Sequence, residues 1–492
     1  MNYHMAGMPM DNTMLIGMAL IPIGLAFSCY GLMPRLATMR INNDTQPIQF
    51  HVTDNSPLNK EHIKLVIALL IAVVVDVMKP ATLGFVMPGM TQEYKISSEA
   101  AGSLALIALT GTALGSVLWG RMADLLGRRA SILLSALMFI GTAICGAMPS
   151  FQWNLIMCFL MGLSAGGLLP ITFTLMAEMI PAHHRGWLLV ALGGIGTSAG
   201  YLVASGAATI LEPLFSWRSL WLLGLPTGLL VIFLNKYIPE SPRFLANTGL
   251  INQAKAVLKK YNGELDPPLP TAQVNNTNDN NSHFSDIFRK PYAMITLALI
   301  GSGTAWGIVN FGFLLWLPTN LREMGMSANT TNSLLAQSGL FALPGIVAVI
   351  WLYHHWSSIK TLALFVALTV VSLSLFVFCD SLGYLNSTMI VLSTVLLLIS
   401  SSGVIAMLIP YAAEIYPVQH RGTGVGLIAA SSKFGGIIGA LLGVAGFFEQ
   451  IAVSAFIIMV PLALCVFVLI RKGIDTRGRR LEDIHGDLLS RS

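Results

Sequence analysis

Apolar residues run through the chain in long blocks, and polar positions collect between them. Twelve blocks follow one another from residue 63: 63–89, 100–119, 130–148, 152–177, 187–210, 218–237, 291–317, 333–353, 361–379, 387–412, 423–446 and 450–470. A helix needs ~20 apolar residues to cross the hydrocarbon layer of a bilayer. Backbone groups inside that layer must be satisfied within their own segment, so each block predicts a membrane-spanning helix. A further apolar run, 14–33, predicts an extra N-terminal span. It is a poor signal peptide, because "MNYHMAGMPMDN" places no basic residue ahead of it. A true start at an internal methionine is the rival account of that stretch. The expected organisation is residues 1–62 as the extra helix with its linker, 63–237 as a first six-helix bundle and 238–290 as a connecting loop. Residues 291–471 then form a second six-helix bundle and 472–492 a tail.

Composition agrees with a membrane class. Charged residues make up 10% of the 492, hydrophobic residues 54%, and mean hydropathy is +0.71. A soluble domain carries roughly 25% charged residues, so this chain has too few to coat a water-facing surface. The charges it has are sorted by side. Alternate loops collect Arg121, Arg128, Arg129, Arg185, Lys236, Arg243, Lys255, Lys259, Lys260, Arg289, Lys290, Lys360 and Arg421, with more in the tail. The opposite loops hold Lys95, Arg218 and Arg322. Basic loops stay cytoplasmic, which puts both ends of the twelve-helix core on the inner side of a cytoplasmic membrane. The net charge of +5 is accounted for by those loops and needs no nucleic acid. Five cysteines, Cys29, Cys145, Cys158, Cys379 and Cys465, stand singly in apolar runs, so neither a disulfide framework nor a metal site is indicated. His183-His184 and His354-His355 read as basic rim residues rather than metal ligands. No Walker A sequence and no catalytic constellation occurs, and the expectation is a non-enzyme without cofactors.

The connecting loop divides in two. "SPRFLANTGLINQAKAVLKKYNG" has helical apolar spacing with a basic face and predicts an amphipathic helix on the inner leaflet. "ELDPPLPTAQVNNTNDNNSHF" is rich in Pro and Asn and reads as a linker.

An internal repeat joins the two sets of six. "AEMIPAHHRG" (177–186) and "AEIYPVQHRG" (413–422) share Ala, Glu, Pro, His, Arg and Gly at a constant offset. Two similar bundles facing each other create a site near the bilayer midplane, and rocking one against the other exposes it to each side in turn. Within the copies, Glu178 and Arg185, and likewise Glu414 and Arg421, predict ion pairs at a gate or rim. The first half also carries "GRMADLLGRR". There Gly120 and Gly127 permit a tight reversal, and Asp124, Arg128 and Arg129 supply the rim charges. The corresponding stretch of the second half, "YHHWSSIK", keeps a basic end but neither the glycines nor the acid.

These motifs together resemble the major facilitator superfamily, whose signature loop is G-x-x-x-D-x-x-G-R-R/K. The paired E-x-x-P-x-x-x-R-G segments and "PESPRF" (239–244) are similar to the branch of metabolite:proton symporters, organic ion transporters and synaptic vesicle glycoproteins. The resemblance implies an all-α membrane fold of two pseudo-symmetric six-helix bundles, with the extra N-terminal helix outside it. In aromatic acid symporters the first helix carries D-G-F-D-x-x-x-x-G-x-x-x-P. Here the matching residues are Asp76, Val77, Met78 and Lys79, then Gly84 and Pro88, so the second acid has become a lysine. Lys433 stands where many relatives carry an arginine that meets a substrate anion, and Cys158 stands where the relatives' fourth helix carries an arginine tied to proton coupling.

Charge arithmetic gives an independent reading. An ionised group at a helix centre costs roughly 2.5–3.5 kcal/mol on insertion scales, so such groups are seldom idle. Asp76 and Lys79 are spaced i, i+3 and are expected to share a face and pair. Lys433 then remains, giving a central chamber one positive charge in excess and favouring an anion. Lys79 and Lys433 are the expected carboxylate-binding pair, and Asp76 is the candidate site of the coupling proton. Trp306, Asn310, Gln337 and Tyr411 are weaker candidates for contact with the substrate. The resulting expectation is a monomeric secondary transporter of a small organic anion, driven by a proton gradient through alternating access. Two alternatives share the fold: an exporter of amphipathic compounds by proton antiport, and a receptor that binds without transporting.

Overall fold

The computed structural model describes residues 8, 11–32, 50–51, 57–262, 264–265, 287–289, 292–382, 386–416, 418–448 and 450–476. Among these, twelve segments are long and apolar enough to cross a membrane. The first half comprises α2 (Lys60–Tyr94), α3 (Ser98–Leu126), α4 (Arg128–Gly141), α5 (Phe151–Met179), α6 (Ala182–Phe215) and the pair α7 (Arg218–Leu222) and α8 (Gly224–Leu234). The third span continues past α4 as a 3-10 turn, Thr142–Ala147. In the connecting segment lie α9 (Pro242–Asn247) and α10 (Ile251–Lys260). The second half comprises α11 (Ala293–Ile308) joined to α12 (Leu314–Glu323), then α13 (Ala328–His355), α14 (Ser358–Ser381), α15 (Ser387–Ile415), α16 (Val418–Val444) and α17 (Ile451–Lys472). The apolar run near the N-terminus forms α1 (Asn12–Leu32), which packs against α4 where Ile21 meets Gly141.

Five of the spans start at a polar residue whose side chain caps the first turn. Asn59 accepts from the backbone N–H of Glu61 and His62, each at 3.0 Å, while the Asn59 N–H donates to His62 Nδ1. This reciprocal box satisfies donors that would otherwise lack partners. Ser97, Ser150, Ser327 and Asn386 cap α3, α5, α13 and α15 more simply, each side chain accepting one backbone N–H of the first turn.

Two expectations from the sequence are corrected. Gly120 does not lie in a turn: α3 runs through it to Leu126, and the reversal falls on Gly127 alone, at φ +96°. The expected amphipathic helix is two short ones, α9 and α10. On α10, Ala254 and Leu258 are buried while Lys255, Lys259 and Lys260 are exposed, as its basic face requires. This piece is clipped to the start of α2. Asn59 Nδ2 donates to the Lys260 carbonyl at 2.9 Å, Lys260 pairs with Glu61 at 3.0 Å, and Tyr261 meets the His62 ring edge-on at 5.0 Å.

Close helix approach depends on small residues, since lipid gives apolar side chains no reason to associate. Along the α3–α5 seam, a Cβ on Gly162 would run into the Ala108 carbonyl, and one on Gly115 into the Leu163 carbonyl. Trp119 Nε1 donates to the Leu163 carbonyl at 2.8 Å across the same seam. The halves meet along α2 and α12, where a Cβ on Gly84 would sit 2.5 Å from the Leu315 carbonyl oxygen. They meet again where Ser198 of α6 and Ser402 of α15 share a hydrogen bond of 3.0 Å.

Overpacking a tight seam costs about 1–3 kcal/mol. Gly162→Val is expected to lower the melting temperature of detergent-purified protein, whereas Gly206→Ala, with nothing within 4 Å of the added methyl, is expected to leave it within error. A scanning fluorimetry comparison of the two checks this.

Candidate functional site

Asp76 lies midway along α2, buried at 6% exposure, with Oδ1 lacking any hydrogen-bond partner. The cation whose field reaches it is Lys433, from α16 of the other half. Asp76 also lies beside the backbone of Leu169 on α5. Lys433 is half-buried. Its neighbours in sequence fasten it to the seventh span: a Cβ on Gly436 would sit 2.9 Å from the Phe311 ring, while Gly435 abuts the Thr304 carbonyl and Gly307 of α11 the Ser432 carbonyl.

Next to this junction the seventh span changes its winding. Val309–Phe313 is a turn of π-helix between α11 and α12. Such an extra residue in a turn is rare and occurs mostly at functional places. Asn310 sits in it, and its Nδ2 donates to the Trp306 carbonyl at 3.0 Å. Trp306 meets Phe311 edge-on at 5.9 Å, and its indole N–H is buried without an acceptor. An acid of the first half thus faces an amine of the second, and the helix that carries the amine packs at Gly436 against Phe311 of the aromatic pair.

Lys79 is elsewhere, and the expected Asp76–Lys79 pair is not formed. The lysine side chain points into the interior of the first bundle. Its Nζ lies 4.4 Å from the centre of the Phe139 ring and 5.9 Å from that of Trp221. Gly224 leaves room for it, since a Cβ there would fall 2.5 Å from Nζ. Cys145 and Cys158 are its titratable neighbours. The i, i+3 spacing brought the two backbone positions to one side of α2, but the long lysine stem reached past Asp76 into an aromatic box.

The other sequence candidates are spread out. Gln337 is exposed on α13. Tyr411 is fully buried and tied to the chain after α17: its hydroxyl donates to the Ile474 carbonyl at 3.0 Å and accepts from the Ile474 N–H at 3.2 Å. Glu178 does not take Arg185 as its partner. It pairs instead with Arg128 at 3.4 Å and accepts a short hydrogen bond from Ser241. Arg185 donates to the Ile180 carbonyl. Arg129 is exposed, and the side chains of Asp124, Glu414 and Arg421 lie outside the described residues.

Three carboxylates that the sequence reading passed over complete the charge map. Glu240 accepts from the backbone N–H of Arg128 at 2.7 Å and of Arg129 at 3.2 Å, filling the space a side chain at Gly127 would take. Burial nonetheless holds its carboxyl above the usual range. Glu93 binds Arg218 at 2.7 Å, both nearly inaccessible, while Arg218 Nη1 reaches the Gly146 and Met148 carbonyls. Glu212 of α6 grips Arg322 of α12 with both oxygens, at 3.0 and 2.7 Å, and accepts from Asn332 Nδ2 at 2.6 Å. This last group joins the two halves at one end of the molecule. Behind it Trp316 is wedged between Gly102 of α3 and Gly443 of α16. The signal was available: on the side with only three basic residues, each one asks for an acid nearby.

Two packed six-span bundles with charged groups at their junction define a polytopic membrane transporter rather than an enzyme. The family model described as Major Facilitator Superfamily matches residues 69–385, and the chain belongs to that superfamily. It is 27% identical to the "Niacin transporter NiaP" of Acinetobacter baylyi, covering 88% of this chain and 98% of that one. It is 30% identical to the "4-hydroxybenzoate transporter PcaK" of Pseudomonas aeruginosa, over 85% of this chain and 94% of the relative. Its fold matches the partially occluded inward-open form of the xylose transporter XylE from E. coli with a TM-score of 0.67, at 17% identity, over 86% of this chain and all of that one.

The Glu212–Arg322–Asn332 group is expected to act as a latch between the halves. A cysteine at the buried position Thr319 should be shielded from a water-soluble maleimide while Glu212 is present. In a Glu212→Gln background its labelling rate is expected to rise several-fold above that of the native cysteines.

Proposed function

We propose that this protein is a proton-coupled symporter of a small aromatic carboxylate, working by alternating access. The observation that carries the reading is the placement of Asp76 and Lys433 on opposite halves, within each other's field, with the helix that carries Lys433 packed at Gly436 against Phe311 of the Trp306–Phe311 pair. The ammonium of Lys433 suits a carboxylate, and the two rings suit the flat apolar body attached to it. Relatives named for niacin and for 4-hydroxybenzoate, both aromatic acids, support the same substrate class.

The coupling follows from charge balance. In the empty site Asp76 and Lys433 neutralise each other. A bound carboxylate takes over Lys433 and leaves Asp76 as an uncompensated anion in a low-dielectric place, where the protonated acid is the cheaper form. One proton then travels with one anion, and the loaded site is neutral when the halves rock. The loop charges favour an orientation in which the Glu212–Arg322 latch faces outward and the Arg128–Glu178–Glu240 cluster faces the cytoplasm. Lys79 belongs to coupling rather than to the carboxylate seat.

In proteoliposomes, Lys433→Ala is expected to reduce both counterflow of benzoate-type acids and their accumulation by at least ten-fold, with partial recovery in Lys433→Arg. Asp76→Asn should keep counterflow and lose accumulation driven by an inward proton gradient. Parent-level uptake of 4-hydroxybenzoate and nicotinate by Lys433→Ala would sink the assignment.

A further inference from the structure

Asp76 and Lys79 present an electrostatic oddity. They are opposite in type, one helical turn apart and both buried, and yet they do not touch. Asp76 Oδ1 and Lys79 Nζ each lack a hydrogen-bond partner. An ammonium enclosed without an acceptor is the costly form of a lysine, so burial favours the neutral amine. The walls around Nζ offer no acceptor: they are the ring faces of Phe139 from α4 and Trp221 from α7, whose cation–π attraction returns only part of an ammonium's lost hydration, and the bare backbone of Gly224 at the start of α8. The titratable groups facing it are two thiols, Cys145 after α4 and Cys158 on α5. Facing Asp76 are Lys433 from α16 and the Leu169 backbone from α5.

The backbone between the two residues is also loosened. Pro80 follows Lys79 directly inside α2. A proline has no N–H for the carbonyl four residues earlier, which here is that of Asp76. The helix can therefore adjust at the turn that separates the acid from the amine.

We infer that Asp76 and Lys79 form a switchable proton-holding pair, with Lys79 parked in its aromatic box while Lys433 serves Asp76, and swung onto Asp76 once a substrate anion has claimed Lys433. The proton comes from bulk water. It converts the amine to an ammonium, or equally sits on the carboxyl facing the amine, and the pair is neutral overall either way. This rests on the symport reading and adds to it the group that shares the proton. A lone carboxyl would surrender that proton at lower pH than a carboxyl facing an amine.

The experiment is the pH dependence of 4-hydroxybenzoate accumulation in proteoliposomes, with counterflow at each pH as the internal reference. Lys79→Met removes the second holder. The midpoint of the accumulation-to-counterflow ratio is expected to move at least one pH unit toward acid, a ten-fold change in proton affinity. Gly224→Ala crowds Nζ out of its box and makes the swung position relatively easier. Its midpoint is expected to move toward alkaline pH. Opposite shifts are not what simple damage to the bundle produces. Unmoved midpoints, or shifts of the same sign in both variants, overturn the inference. If Lys79→Met does not yield folded protein, Gly224→Ala decides by itself, and the absence of an alkaline shift is then fatal. Failure of the symport reading looks different, because parent protein would then accumulate no acid at any pH, whether or not it supports counterflow.

Discussion

The carboxylate of Asp76 and the ammonium of Lys433 are charges that neither bundle buries comfortably alone. Each lies in a membrane-spanning helix, and each feels the other's field across the seam between the halves. Much of the remaining architecture can be understood as what keeps those two groups facing each other. Close approach of the helices is secured by backbone contacts at Gly84, Gly307 and Gly435. The first bundle is rigid at one end through Glu93 and Arg218 and at the other through Arg128, Glu178, Ser241 and Glu240. Close ion pairs fix the ends, whereas Asp76 and Lys433 in the middle meet only through their fields, and in the proposed reading they are the part that responds to a ligand.

The fold was largely legible in the sequence because it follows from solvent. Hydrocarbon permits few backbone solutions, so apolar block length alone located the twelve spans. The caps at Asn59, Ser97, Ser150, Ser327 and Asn386 are findings of the structure, at polar residues just ahead of an apolar block. Interruptions within spans were not legible. The π turn at Val309–Phe313 and the 3-10 segment Thr142–Ala147 are local changes of winding inside apolar runs, and they leave no periodic trace in the sequence.

The candidate site was legible in part. The residue types were there to be read, since Asp76, Lys79 and Lys433 stand out in apolar runs. Their pairing was not, because spacing fixes where a Cα lies and not where a long side chain ends. Lys79 has a stem long enough to choose between Asp76 and an aromatic box that sequence could not foresee, being built from α4, α7 and α8 together. Glu178 shows the same limit. Its neighbour in the motif is Arg185, but its partner in space is Arg128, delivered by the turn at Gly127. Glu212 and Arg322 are more than a hundred residues apart, and only the juxtaposition of α6 and α12 makes them one object.

Trp316 deserves a last thought for what it does to tolerance. Its indole occupies a slot whose two walls are Gly102 and Gly443, one from each half. Neither glycine has any chemistry to perform, yet a single methyl on either would act like a pebble in a door jamb. The positions where this protein has least freedom to vary therefore include ones that never meet its cargo, and drift there would be felt as a failure of sealing rather than of recognition.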